Sequence, residues 1–221
     1  MKISPNAITP PRLRPENLDI ETFGAFELTR EIDLSGLQLS GIAFGNAQNG
    51  RFSQVQLKNA RLGAVSWRRA HFEDAIFDGS DFAGADNSEI FLSRVQFLDC
   101  RALGLQAAES NWRDVTMQGG NWSLAQFRYA KFERVRFENL NLREADFQNA
   151  DLRGAIFQDC DLRGAQFSFA RLQNADFRTS QTEDMSIDAG ALRGLIVSPL
   201  QAAQFASVLG LQVRWNDEGR I

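Results

Sequence analysis

The sequence predicts an all-β solenoid, a rod of stacked coils ended by a short C-terminal helix, and three observations predict it. Every fifth residue from Ile32 to Phe177 gives 30 positions, of which 26 are large and apolar, the exceptions being Ala47, Asn87, Ala102 and Ala107. The residue two places earlier is Ala, Ser, Gly, Val or Cys at 26 of the 30, failing only at Arg30, Ile90, Leu105 and Leu140. Phenylalanine outnumbers tyrosine 18 to 1, which asks for ring packing with no polar handle, and 12 of the 18 Phe fall in this one register. A five-residue period turns about 72° per residue, so it smears an apolar set around an α-helix and drifts against the two-residue alternation of a strand. A coil holding a fixed number of pentads per turn buries it, because the small and large positions point in and the others out.

Taken in order, the chain opens on an arm. Pro5, Pro10, Pro11 and Pro15 crowd the first 15 residues, and the segment to about Leu18 reads as extended. Glu16 to Arg30 reads as an irregular first turn over the open end of the rod, which exposes apolar core and backbone donors unless covered. Residues 1–30 are thus arm and cap, and 31–197 the repeat. Its unit is small, polar, large apolar, variable, variable, as in Ala145-Asp146-Phe147-Gln148-Asn149 and Ala150-Asp151-Leu152-Arg153-Gly154. No proline interrupts it. Around 85–109, Asn87, Ala102 and Ala107 shrink large sites while Ile90 and Leu105 enlarge small ones, an exchange that either conserves core volume or marks a bulge or loop. Residues 198–221 form a capping element. Ser198-Pro199 starts a helix that Gly210 ends, and Ala202, Phe205, Ala206 and Leu209 share the arc expected to lie on the last coil. Leu200 and Val208 fall outside that arc, and Leu211 to Trp215 alternates like a strand.

These pentads resemble those of the pentapeptide-repeat family over about Ser35 to Ile187. The resemblance implies a right-handed quadrilateral β-helix with four pentads, or 20 residues, per coil. Thirty pentads then make 7.5 coils and a rod about 36 Å long, with residues 20 apart stacked, as in the column Leu37, Leu57, Phe77, Phe97, Met117, Phe137, Phe157, Phe177. The C-terminal run from Leu192-Arg193-Gly194 to Leu209-Gly210-Leu211 is similar to the element through which the Qnr-type and mycobacterial quinolone-resistance members dimerise. Leu200, Val208, Leu211, Val213 and Trp215 either complete the cap or form a homodimer seam, and the resemblance favours the seam.

Catalytic chemistry finds little material. His71 is the single histidine, at an outward position, so no histidine metal cluster or dyad is possible, and no metal or cofactor is expected. Cys100 and Cys160 occupy small inward sites three coils apart, outside disulfide reach. Glu73-Asp74, Glu183-Asp184 and Gly119-Gly120 lack the context of an acid–base pair or phosphate loop. The expectation is a non-enzymatic binding protein. A net charge of −4 advertises neither nucleic acid nor membrane as partner, and the absence of an apolar span or signal region favours a cytoplasmic location.

The resemblance implies a DNA mimic that binds DNA gyrase or another topoisomerase and protects it from quinolones or toxins. Charge limits such mimicry, since residues 35–182 carry 17 acids and 17 bases. The acids concentrate in a belt, Asp78, Asp81, Asp86, Glu89, Asp99 and Glu109, beside a basic stretch of Arg51, Lys58, Arg61, Arg68 and Arg69. The alternative is a protein-interaction scaffold or regulator with an unrelated partner.

Overall fold

A computed structural model describes residues 7–13, 19–21, 33–43, 45–46 and 48–214. The strands are β1 (Asp19–Glu21), β2 (Asp33–Ser35), β3 (Leu37–Ser40), β4 (Arg51–Lys58), β5 (His71–Asp78), β6 (Phe91–Arg101), β7 (Asn111–Asn121), β8 (Lys131–Glu138) and β9 (Ile156–Gln158). All pair in parallel in one sheet, in the order β1, β3, β4 and on to β9, with β2 also on β4. Short bridges continue the stacking on the remaining sides, in columns such as Arg61, Asp81, Arg101 and Ser66, Asp86, Gln106. Four such columns five residues apart make the coil four-sided. From Arg51 through His71, Phe91, Asn111, Lys131 and Asp151 to Arg171 the 20-residue step repeats over six complete turns.

The corners explain a position that the pattern leaves variable. Every non-glycine residue with positive φ is the last of its pentad, with φ between 48° (Asp99) and 62° (Asn174). Left-handed backbone is easiest for Gly and tolerable for Asn or Asp, which is why Asn59, Gly79, Asn139, Asn149 and Gly154 recur there. Inside, the large sites stack in columns, with Phe137 on Phe157 at 4.3 Å and 9°, and Phe147 on Phe167 at 4.9 Å and 10°.

The first described coil departs from the expected spacing. Asp33 pairs with Arg51 and Leu39 with Leu57, a step of 18, whereas Arg51 pairs with His71. The buried residue beneath Leu57 is therefore Leu39; Leu37, expected there, is only partly buried. The shift also carries Gly36 and Gly41 into the left-handed corner position, with φ of 70° and 65°. Most of the expected first turn, residues 16–30, lies outside the described residues.

No loop or bulge interrupts 85–109. Strand β6 runs through it in register, Ala102 and Ala107 are fully buried, and Ile90 and Leu105 fill the space they leave. A void of only about 10 Å³ remains between Phe72, Phe77, Asn87, Leu92, Leu105 and Trp122.

The C-terminal helix α1 (Pro199–Phe205) continues as a 3₁₀ turn over Ala206–Leu209. Ser198 and Gln201 form a reciprocal capping box. The face on the rod differs from the expected arc: Gln201 and Phe205 are buried, while Ala202 and Leu209 are exposed. The reason is that the last coil presents carbonyls as well as apolar atoms. Gln201 Nε2 donates to the carbonyls of Phe177 and Ser180 at 2.8 Å each, and Gln204 Nε2 to that of Thr182 at 2.8 Å. Residues 211–214 form no strand, contrary to their alternation, and Trp215 lies outside the described residues.

Candidate protein-interaction surfaces

The acidic belt does not lie on one surface. Asp78, Asp81 and Asp86 belong to three successive sides, Asp99 to the corner between the first two, and Glu89 and Glu109 stack at a further corner. Two of the six are neutralised by neighbouring coils: Asp81 by Arg101 at 2.9 Å, and Glu89 by Arg68 and Arg69 at 2.6 and 2.8 Å. The hydrogen bonds from Arg69 and Arg68 hold the Glu89 carboxyl below its ordinary range.

On the side carrying the first half of β4 to β8, the outward column reads Arg51, His71, Phe91, Asn111, Lys131, and its neighbour Ser53, Glu73, Ser93, Arg113, Glu133. Between them lies a groove of about 510 Å³. Phe91 is 42% exposed at a position where the repeat places polar residues, and its ring stacks on His71 at 4.6 Å and 11°. Partial burial and the nearby Arg51 lower the His71 pKa, so the ring meets Phe91 as a neutral imidazole at pH 7. Sequence reading missed Phe91; the signal was available, since a large ring at the polar position of a pentad takes no part in the core columns.

The adjoining corner carries Asp74, Arg94, Asp114 and Arg134, one per coil and all left-handed. Arg94 forks onto Asp74 at 2.6 and 2.9 Å, and Arg134 onto Asp114 at 2.7 and 2.9 Å, while the same arginines also reach Glu73 and Glu133. Both aspartates are buried. Burial works to raise the Asp74 pKa, but the Arg94 hydrogen bonds and the Arg12 amide bring it below the ordinary value; for Asp114 the Arg134 hydrogen bonds dominate, opposed by burial and helped by the Thr9 amide.

At the C-terminal end Leu200 is 71% exposed, and Val208, Leu211 and Val213 are also exposed; Leu200, Leu211 and Val213 line a groove with Ala203, Gln204 and Ser207. The cysteines are inward, and burial pushes both thiols up to about 12. Among the described residues no group of three or more His, Cys, Asp or Glu could hold a metal ion, and no helix is long and apolar enough to cross a membrane.

The family model for pentapeptide repeats matches in eight copies, over residues 51–86, 123–159 and 141–178. Among solved structures, full-length QnrB1, described as a plasmid-mediated fluoroquinolone resistance protein, is 19% identical, with 87% of this chain and all of that chain covered at a TM-score of 0.50. A trypsin-treated variant of QnrB1 is 21% identical over 87% of this chain and all of its own, with a TM-score of 0.47. HetL, from the cyanobacterium Nostoc and described as involved in heterocyst differentiation regulation, is 16% identical over 77% of this chain and 89% of its own, with a TM-score of 0.38. No curated protein matches the chain.

Proposed function

The chain carries pentapeptide repeats, and from that premise we propose that it is a non-enzymatic binding rod which presents the groove around Phe91 to a protein partner and pairs with a second copy through its C-terminal end. Phe91 carries the reading. Its ring is exposed where the fold has no use for it, and it sits in a groove rimmed by Glu73, Arg113, Lys131 and Glu133. An aromatic anchor ringed by polar groups is the arrangement that dominates protein–protein binding energy.

DNA gyrase is the first partner to test, because the fold match includes a fluoroquinolone resistance protein. On this reading the contact runs through the groove, and not through imitation of duplex phosphates, since the belt acids are spread around the rod and partly neutralised. A supercoiling assay with a fluoroquinolone separates the two. Wild-type chain protects gyrase, Phe91→Ser abolishes protection, and reversal of Asp78, Asp81, Asp86 and Glu89 to Lys leaves it intact. The opposite pattern assigns the contact to the belt. If the wild type neither protects nor inhibits at any salt concentration, gyrase is not the partner, and a photocrosslinker at position 91 that captures no protein in cells then ends the groove reading.

For the second copy, Leu200→Glu with Val208→Glu yields folded monomers by light scattering. A wild type that is already monomeric at tens of micromolar removes the seam.

A further inference from the structure

The N-terminal segment 7–13 lies against the Asp74–Arg134 corner, a contact that neither the repeat nor the groove requires. The Thr9 amide donates to Asp114 Oδ1 at 3.1 Å and the Arg12 amide to Asp74 Oδ1 at 2.9 Å. We propose that this corner is a recognition track for an extended, proline-rich strand, and that residues 9–12 occupy it as an intramolecular ligand which a partner's proline-rich segment displaces.

The match of spacings carries the inference. Arginine fills every second step of the corner, so the carboxylates recur every two coils, about 9.6 Å at a strand spacing of about 4.8 Å. A polyproline II strand repeats every three residues at about 3.1 Å each, or about 9.3 Å, and returns the same face at each repeat. Thr9 and Arg12 are three apart. Between them Pro10 and Pro11 have no N–H to leave unsatisfied, and the prolines restrict both their own φ and the residues before them to extended geometry. Ile8 and Pro11, also three apart, are half-buried, whereas Thr9, Pro10 and Arg12 are exposed.

The acceptors are prepared for this task. Each carboxylate is fixed by a two-pronged arginine from the next coil, and the Oδ1 atoms of Asp74 and Asp114, which accept the arginine Nε, also accept the strand amide. Recognition through main-chain amides and proline geometry reads the shape of the strand and tolerates many side chains, so the class of partner is a proline-containing extended segment. The groove residues Glu73, Arg113 and Glu133 are chain neighbours of Asp74, Asp114 and Arg134, which places the seated strand along the edge of the groove. The inference stands on this corner alone and does not depend on what the groove binds.

The test uses the full chain. Thr9→Pro with Arg12→Pro removes both amide donors, preserves the extended geometry and leaves the coils untouched. The probe is a labelled peptide with the sequence of residues 7–13, Ala-Ile-Thr-Pro-Pro-Arg-Leu, followed by fluorescence anisotropy. Because a tethered occupant lowers the fraction of binding-competent track, the double variant is expected to bind the peptide at least about tenfold more tightly than the wild type. A peptide with proline at both donor positions binds neither chain. In the wild type the Thr9 and Arg12 amides are protected from hydrogen exchange. Unprotected amides at 9 and 12, equal peptide affinity for the two chains, no uptake by the double variant, or equal uptake of the donor-free peptide overturns the proposal.

Discussion

The late coils, Asn121 to Ser180, and the early coils, Arg51 to Gly120, share one register and use it differently. In the late coils the large sites after Trp122 are all Phe or Leu, and parallel rings repeat at 4.9, 4.9 and 4.3 Å for Phe127–Phe147, Phe147–Phe167 and Phe137–Phe157. Some of their charges close within single pentads, Asp151 with Arg153, Asp161 with Arg163 and Asp176 with Arg178, at 2.6 to 2.7 Å, beside pairs between coils such as Arg128 with Asp146 and Arg171 with Asp151. The early coils place Asn87, Ala102 and Ala107 at large apolar sites, pair their charges between coils, and expose Phe91. Phe72, Leu92 and Trp112 line both the small internal void and the groove outside it. Where the pattern is purest, stacking explains the inward residues, although Leu124, Tyr129 and Phe169 stand exposed at its corners. Where the pattern is broken, and on into the coil of Lys131 to Arg134, the outside carries the groove and the docked strand.

The sharpest way to break this contrast is in the core. Phe137→Ala is expected to destabilise by about 3–5 kcal/mol, because a buried ring leaves a cavity between its stacked neighbours. Asn87→Ala occupies the same register site in the early coils, already relieved by Ile90 and Leu105, and is expected to cost less than about 1 kcal/mol. Urea midpoints at equal slopes measure both. Similar losses at the two sites would erase the distinction.

A smaller effect separates the two kinds of ion pair. Arg134→Ala leaves the carboxylate of Asp114, only 7% exposed, without its two-pronged partner, and is expected to cost about 1–3 kcal/mol. Arg163→Ala removes an equally short bond to Asp161, but this carboxylate is less buried and keeps Arg143 at 3.6 Å, and the urea midpoint should stay where it is. If the two variants unfold alike, the corner is no more than another solvated pair.

How much of this was readable without coordinates follows from how local each cause is. A pentad stacks on its own copy 20 residues away, so Phe147 and Phe167 announce their column in the sequence. The left-handed corner was present as the recurrence of Asn and Gly at the fifth position, and the two-residue shortening of the first coil as Gly36 and Gly41 standing off that register. The C-terminal cap misled the helical wheel because Gln201 is buried to satisfy the carbonyls of Phe177 and Ser180, a need created by the rod and not by the helix. Pro10 and Pro11 revealed an extended arm, yet not its landing place, since its acceptors Asp74 and Asp114 are 62 and 105 residues from the donors. Asp78 and Asp86 looked like one belt because sequence distance is small, although a coil turns them onto different sides.

The finest test uses acid, and its sign follows from the corner. Asp74 and Asp114 have folded pKa values below the ordinary 3.8, so the unfolded or undocked state binds protons first. Their contribution is therefore complete above about pH 4 to 5 and is lost as pH falls through the depressed folded values. Protection factors at the Thr9 and Arg12 amides should stay level from pH 7 to pH 5 and fall only in stronger acid, well before the late-coil amides of Phe147 and Leu152 open. Of the charged groups that face this corner, Glu73, Arg94, Arg113, Glu133 and Arg134, burial works to raise Glu133 but the arginine hydrogen bonds hold it below its ordinary value, and the carboxylates raise Arg94 and Arg134; partial burial and Arg51 lower the pKa of the neighbouring His71. A loss of protection between pH 7 and pH 6 would move control of the strand from the carboxylates to the His71–Phe91 stack, and would join the two early-coil surfaces into one.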